Sequence, residues 1–260
     1  MAPKWSDDFI RAVEAEVFQQ ANNHAILQHI AALTIRDVYC LRAVIVERLV
    51  ERGDRLVGYK AAGSSAAVRR DEHVEGPLVG CILGSRIISE NDLIEIGSLR
   101  RMAVEGEIAV SMKCDLEGPG VNDIDVMSAV GAVFPAIEIL AFKDAAAPSI
   151  QKRILGSNFT GKFILGQSLS PAGIGNLQNE GMSLHINGQL RGSGTGAEIM
   201  GHPFNSVMMI ANTLAVSGQK LRAGMVVLTG SVLPNISVAA GDLVSVQFTR
   251  LGRLRARFTQ

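Results

Sequence analysis

Apolar residues recur with a helical period near the start of the chain. Phe9, Ile10, Val13 and Val17 mark one stripe of residues 7–20, behind Ser6 and an acidic first turn of Asp7 and Asp8 that suits the positive end of a helix dipole. A second stripe, Val38, Leu41, Ile45 and Leu49, follows Thr34, whose hydroxyl is placed to cap a helix with Asp37 three residues on; Gly53 ends it. From Arg55 the pattern shortens to runs of strand length: 56–60, 79–83, 102–112, 136–142, 162–166, 182–186, 225–229 and 243–250. Asn187-Gly188 reads as a hairpin turn, and residues 203–217 return to a helical period. The order predicts an α+β protein, with a helical N-terminal region over residues 1–70 and a β-rich domain over 71–260.

Composition agrees with an aliphatic, strand-rich core. The chain has 260 residues, long enough for a full core, with 47% apolar residues, only 5% aromatics and 27 glycines for tight turns. Lys plus Arg and Asp plus Glu are 25 each, so no net field draws the protein to nucleic acid or an anionic membrane. Three cysteines, Cys40, Cys81 and Cys114, show no CxxC spacing and are expected as buried thiols in a reducing compartment. The first residues carry neither a signal-like nor a membrane-length apolar run, which makes the cytoplasm the expected location.

Candidate chemistry concentrates where charge interrupts apolar strands. In Val104-Glu105-Gly106-Glu107-Ile108 alternation puts Glu105 and Glu107 on one face, about 7 Å apart along the backbone. A solvated strand face is the commoner fate of such a pair. Glu138, set among Ala136, Ile137, Ile139 and Leu140, is a third charge whose burial alone would be unfavourable. Three such oxygen donors suit Mg²⁺ or Mn²⁺. Lys60 ends a predicted strand before a small-residue turn, and reads either as a surface lysine or as a proton carrier in a cleft. The run Gly192-Ser193-Gly194-Thr195-Gly196 lacks the following lysine and the flanking unit of a phosphate loop. His202, just before a helix, reads as an anion contact or as a structural residue satisfied by backbone.

Several stretches in order resemble one family: Val57-Gly58-Tyr59-Lys60, then Val104-Glu105-Gly106-Glu107-Ile108-Ala109, then Phe134-Pro135-Ala136-Ile137-Glu138-Ile139. The C-terminal third adds Gly201-His202-Pro203, Leu228-Thr229-Gly230, Pro234 and Ala240-Gly241-Asp242. No piece is specific alone. The ordered set, from about residue 35 onward, is similar to the 2-keto-4-pentenoate hydratase and 4-oxalocrotonate decarboxylase branch of the fumarylacetoacetate hydrolase superfamily.

The resemblance implies that family's rolled mixed β-sandwich with flanking helices, a closed homo-oligomer and, in some members, a complex with a sister enzyme. It implies Mg²⁺ or Mn²⁺ on Glu105, Glu107 and Glu138, with Lys60 in proton transfer. The expected reaction is hydration of a 2-hydroxy-2,4-dienoate to a 4-hydroxy-2-oxo acid. Decarboxylation of a 2-oxo-dioate such as 4-oxalocrotonate is the nearest alternative, carbon–carbon hydrolysis a third, and a catalytically idle partner subunit a reading of another class. Three departures bear on the site. Lys143 stands where the family has arginine, leaving a point charge for a substrate carboxylate. Asp-Asn-Ala-Ser becomes Ser157-Asn158-Phe159-Thr160, which leaves Asn158 and Thr160 as substrate-binding candidates. Leu78 replaces an acid expected beside Lys60.

Overall fold

The computed structural model describes residues 4–19, 21, 23–64, 76–97, 101–142, 149–156 and 161–260. Three helices open the chain: α1 (Asp7–Gln19), α2 (His24–Ala31) and α3 (Ile35–Glu51). Thr34 caps α3 as its position foretells, accepting from the Asp37 amide at 3.2 Å, and Gly53 leaves the helix at φ 99°. Helix α2 is not signalled by the apolar pattern. At eight residues it is too short to show a period, and the Asn23 side chain defines its start by accepting from the Ala25 and Ile26 amides.

Thirteen strands follow among the described residues: β1 (Leu56–Ala62), β2 (Leu78–Leu83), β3 (Ile87–Ile88), β4 (Leu93–Glu95), β5 (Arg101–Met112), β6 (Val130–Phe142), β7 (Lys162–Leu165), β8 (Gly181–Ile186), β9 (Gln189–Thr195), β10 (Val226–Ser231), β11 (Ile236–Val238), β12 (Leu243–Phe248) and β13 (Arg253–Thr259). Between them lie α4 (Asp123–Ala129), α5 (Ile150–Gly156), α6 (Pro171–Ile174) and α7 (Pro203–Leu214). The larger sheet runs β2-β1-β10-β5-β6-β7-β3, with β11 continuing alongside β5; the smaller runs β4-β13-β12-β8-β9. Parallel pairs β1/β10, β3/β7 and β4/β13 make both sheets mixed. This is the α+β architecture expected, a curled mixed sheet with a second sheet and flanking helices.

Register decides which residues share a face. On β5, Val104, Gly106, Ile108 and Val110 turn toward the second sheet, and a Cβ on Gly106 would lie 2.9 Å from both Met182 and Val246. The missing side chain lets the two sheets close. The opposite face holds a separate apolar cluster of Ile82, Ala109, Ala136, Phe163 and Leu228, with Phe134, Leu165 and Val226 against it.

The helical lobe grips the larger sheet at its edge strand, β2. The Tyr39 hydroxyl accepts from the Val79 amide at 3.1 Å, and Arg42 Nη1 donates to the Val79 carbonyl. Arg42 is only 1% exposed and its guanidinium carbon lies 4.8 Å from the Tyr39 ring centroid. Gln151 of α5 donates to the carbonyls of Ala31 and Leu33, and Lys152 pairs with buried Glu16, which ties α5 to the same lobe.

Several boundaries differ from the sequence pattern. The strand expected from 136 begins at Val130, where α4, opened by a capping box of Asn122 and Asp125, runs straight into it. The 203–217 helix is α-helical only to Leu214 and ends in a tighter turn, Ala215–Ser217. The 225–229 strand extends to Ser231, and 243–250 stops at Phe248 before a turn into the unsignalled β13. Of the cysteines, all unpaired, only Cys81 is buried, while Cys40 is intermediate and Cys114 exposed, a correction to the expected buried thiols. The boundary expected at residues 70/71 lies outside the described residues, whereas β1, which carries Lys60, is built into the larger sheet. No helix among the described residues is long and apolar enough to cross a membrane.

Candidate metal centre

Glu105 and Glu107 are neighbours on one face of β5, as alternation requires, and Glu138 joins them from β6. Glu105 is registered directly against Glu138, and Glu107 against Ala136, so all three project from the same surface as the small apolar cluster. Each offers a carboxylate oxygen within 4.8 Å of the others. Glu107 is 0% and Glu138 1% exposed, with Glu105 half-buried at the mouth. Like charges directly opposite each other destabilise a ladder, and more so in a dry setting.

The partners of these oxygens show where a cation would sit. Glu107 Oε2 accepts from the Gly230 amide at 2.8 Å, whereas Glu107 Oε1 and Glu138 Oε2 are buried without a hydrogen-bond partner. Buried polar atoms are seldom left so. Two orphaned, acceptor-only oxygens beside a third carboxylate fit a hard divalent cation such as Mg²⁺ or Mn²⁺.

Gly230 reaches Glu107 through a bulge. Leu228 pairs with Ala109 and Ser231 with Glu107, so β10 carries one residue more than β5 across that interval. The Thr229 hydroxyl anchors the bulge on the Ile108 carbonyl at 2.7 Å, and Gly230 takes φ 109°. A Cβ at Gly230 would lie 2.0 Å from Ser64 Oγ, so both backbone angle and space call for glycine. The sequence pattern does not mark Gly230 as a site residue; its only signal is a glycine inside a strand pattern.

Lys60 lies inside β1, opposite Gly80, and shares the carboxylate face through β10: Lys60 is registered to Leu228, and Leu228 to Ala109. It is 5% exposed, and its Nζ donates to Glu138 Oε1 in a buried ion pair. The surface-lysine reading therefore falls. Burial by itself would lower its pKa, but attraction from Glu138, Glu105 and Glu107 outweighs burial and holds the ammonium above the ordinary lysine value. Glu107 moves well above the usual carboxylate range, because of burial first and repulsion from Glu138 and Glu105 second. Leu78, where an acid was expected, is buried two residues along β2 from Gly80 and faces the same side as Lys60.

Lys143, Asn158 and Thr160 lie outside the described residues, as do Ser157 and Phe159. The glycine run 192–196 belongs to β9 and the turn after it. Gly192 and Gly194 carry no Cβ because Leu233 and Val232 press against them, which is packing rather than phosphate binding. His202 caps α7, its Nδ1 accepting from the Phe204 amide at 3.1 Å, the structural one of its two readings.

Comparisons with known proteins extend this picture. Residues 57–259 match the family model described as fumarylacetoacetate (FAA) hydrolase C-terminal. A 4-oxalocrotonate decarboxylase of Pseudomonas putida is 30% identical over 95% of this chain and 94% of its own length. A 2-hydroxyhexa-2,4-dienoate hydratase of Comamonas testosteroni is 32% identical over 88% of each chain. Among solved structures, a 4-oxalocrotonate decarboxylase from Pseudomonas putida G7, complexed with magnesium and adipate, superposes with a TM-score of 0.86 at 28% identity, covering 96% of both chains.

Proposed function

The chain belongs to the fumarylacetoacetate hydrolase family, and from that premise we propose that it is a divalent-metal-dependent lyase of the hydratase and decarboxylase branch, adding water to a 2-hydroxy-2,4-dienoate. The observation that carries this reading is the cluster of three carboxylates that bring oxygens within 4.8 Å of one another, two of them with a buried oxygen lacking a hydrogen bond, beside a buried lysine. Glu105, Glu107 and Glu138 would hold the ion. When bound, it supplies positive charge that stabilises negative charge developing on a substrate oxygen.

The remaining chemistry falls to residues of the chain. Lys60 Nζ, held as an ammonium beside the carboxylates, gives a proton to the far end of the diene and is reprotonated by the 2-hydroxyl of the dienol, giving a 2-oxo-3-enoate. Its alkene, conjugated to the new carbonyl, accepts hydroxide at C4 and a proton at C3. The sum is one water added and a 4-hydroxy-2-oxo acid formed. Ala109, Ala136, Phe163 and Leu228 exclude water beneath the carboxylates, where charge interactions are strongest.

Loss of CO₂ from a 2-oxo-dioate is the second reading, favoured by the decarboxylase relative whose similarity extends over 95% of the chain. One ultraviolet assay with Mg²⁺ separates them, offering 2-hydroxypenta-2,4-dienoate and 4-oxalocrotonate separately and weighing the products. Gain of water by either compound supports the hydratase and release of CO₂ from the dioate the decarboxylase. Inertness toward both removes the substrate assignment.

A further inference from the structure

The face that carries the carboxylates continues past them along β5 and β6. Beyond Glu105 and Glu138 the next rung on that face is Ala103 with Leu140, and the last is Arg101 with Phe142. Arg101 is exposed at the rim, with its guanidinium carbon 3.9 Å from the Phe142 ring centroid. Its Nη1 donates to Asn235 Oδ1 at 3.0 Å and to Ser237 Oγ at 3.3 Å. Ser237 is registered against Ala103, and Asn235, two residues earlier on the antiparallel neighbour, comes level with Glu105. The contact to Asn235 thus sets the guanidinium inward along the carboxylate face.

All these partners are neutral. None of the ion pairs among the described residues includes Arg101. A guanidinium offers five N–H donors in a planar fork, and the contacts to Asn235 and Ser237 both use Nη1. Stacking on Phe142 fixes the plane of the fork without neutralising it. A positioned cation with neutral supports, on the same face as an anionic metal centre, suits a ligand that is anionic at both ends.

We propose that Arg101 binds a second carboxylate at the far end of the substrate, so that the 2-hydroxydienoate is a dioate. The inference rests on the function proposed above, which places the first carboxylate and the 2-oxygen at the glutamate cluster. It also favours hydration over decarboxylation. A carboxylate leaving as CO₂ must give up its charge, and a guanidinium gripping it stabilises the charged ground state instead.

Unreactive analogues test this by binding alone. The Mg²⁺-loaded protein and its Arg101→Met and Arg101→Lys variants are titrated calorimetrically with 2-oxopentanoate and 2-oxohexanedioate, with thermal unfolding as the check on folding. The expected result is a preference of about tenfold or more for the diacid in the parent protein. Arg101→Met should abolish it, Arg101→Lys should keep part of it, and monoacid binding should stay unchanged throughout. Equal affinity for the two acids in the parent protein, or a diacid preference that survives Arg101→Met, overturns the role of Arg101 while leaving the metal site intact. If neither acid binds even though Mg²⁺ does, the proposed function fails, and the inference with it.

Discussion

Glu105 and Glu138 stand directly opposite each other in the β5–β6 ladder, two carboxylates in a position where a sheet ordinarily avoids like charge. The Lys60 ammonium offsets part of this repulsion, and a divalent cation would offset the remainder. Glu105→Gln should therefore raise the unfolding midpoint in EDTA, by the equivalent of roughly 0.5–1 kcal/mol, while lowering the stabilisation that Mg²⁺ confers. An unchanged midpoint in EDTA would mean that the repulsion is already relieved within the chain.

Gly230→Ala should be the most damaging small substitution near the site. Its methyl group would meet Ser64 Oγ at 2.0 Å at a φ of 109°, a combination expected to remove about 2–4 kcal/mol of stability. Relaxation of the bulge would also withdraw the amide from Glu107, so Mg²⁺ affinity, measured by titration well below the unfolding temperature, should fall. Normal affinity in a folded variant would show that the amide does not orient that carboxylate.

Lys60→Met should separate binding from turnover. Losing the proton carrier should reduce the rate at least about a hundredfold, whereas removing an ammonium paired with Glu138 leaves a more negative site that binds Mg²⁺ more tightly. Calorimetry and rate measurements on one preparation check both halves. Joint loss of metal binding and activity would make Lys60 a structural support instead.

The raised pKa of Glu107 gives the metal-free protein a definite pH dependence. Its folded value lies above the unfolded 4.5, because of burial first and then Glu138 and Glu105. Its contribution to stability is thus fully present below about pH 4.5 and is lost as pH rises through the folded value. Mg²⁺ competes with that proton, so the gap between unfolding midpoints with and without Mg²⁺ should widen from pH 5 to pH 8. A constant gap would remove Glu107 from the ligand set.

His202 behaves in the opposite sense. Burial, partly opposed by Asp123, lowers its pKa below 6.5, and capping through Nδ1 requires the neutral ring. Its contribution is present above pH 6.5 and disappears as pH falls through the lowered value. His202→Asn keeps a capping oxygen and should flatten this acid-side loss, while His202→Ala should remove about 1 kcal/mol at neutral pH. Identical acid-side curves for parent and His202→Asn would sink the assignment.

The parts of the site legible in the sequence are those that break a local rule. Glu105, Glu107 and Glu138 stand out as charges in apolar strands, and alternation alone places the first two on one face. Gly230 and Arg101 break no such rule. A glycine in a strand and an arginine at a strand start are ordinary, and their roles arise from Ser64, Asn235 and Phe142, distant in sequence. The same division runs through the fold. Helix α3 is legible from its apolar stripe and its Thr34 cap, whereas α2, α4 and α5, at seven or eight residues, show no period and are held by caps and by the lobe's contacts.

The grip of Tyr39 and Arg42 on Val79 bears on what the helical lobe is for. Among the described residues β2 ends its sheet, and an uncovered strand edge is a template on which another chain can add a strand. With the Val79 amide and carbonyl both taken by α3, that template is blocked near its first residues. The helices thus guard the protein against its own copies, and a chain shortened to begin after Gly53 would keep the glutamates, the bulge and Lys60 yet present a sticky border. Its characteristic fault would be self-assembly into insoluble β-structure, before any loss of chemistry came to light.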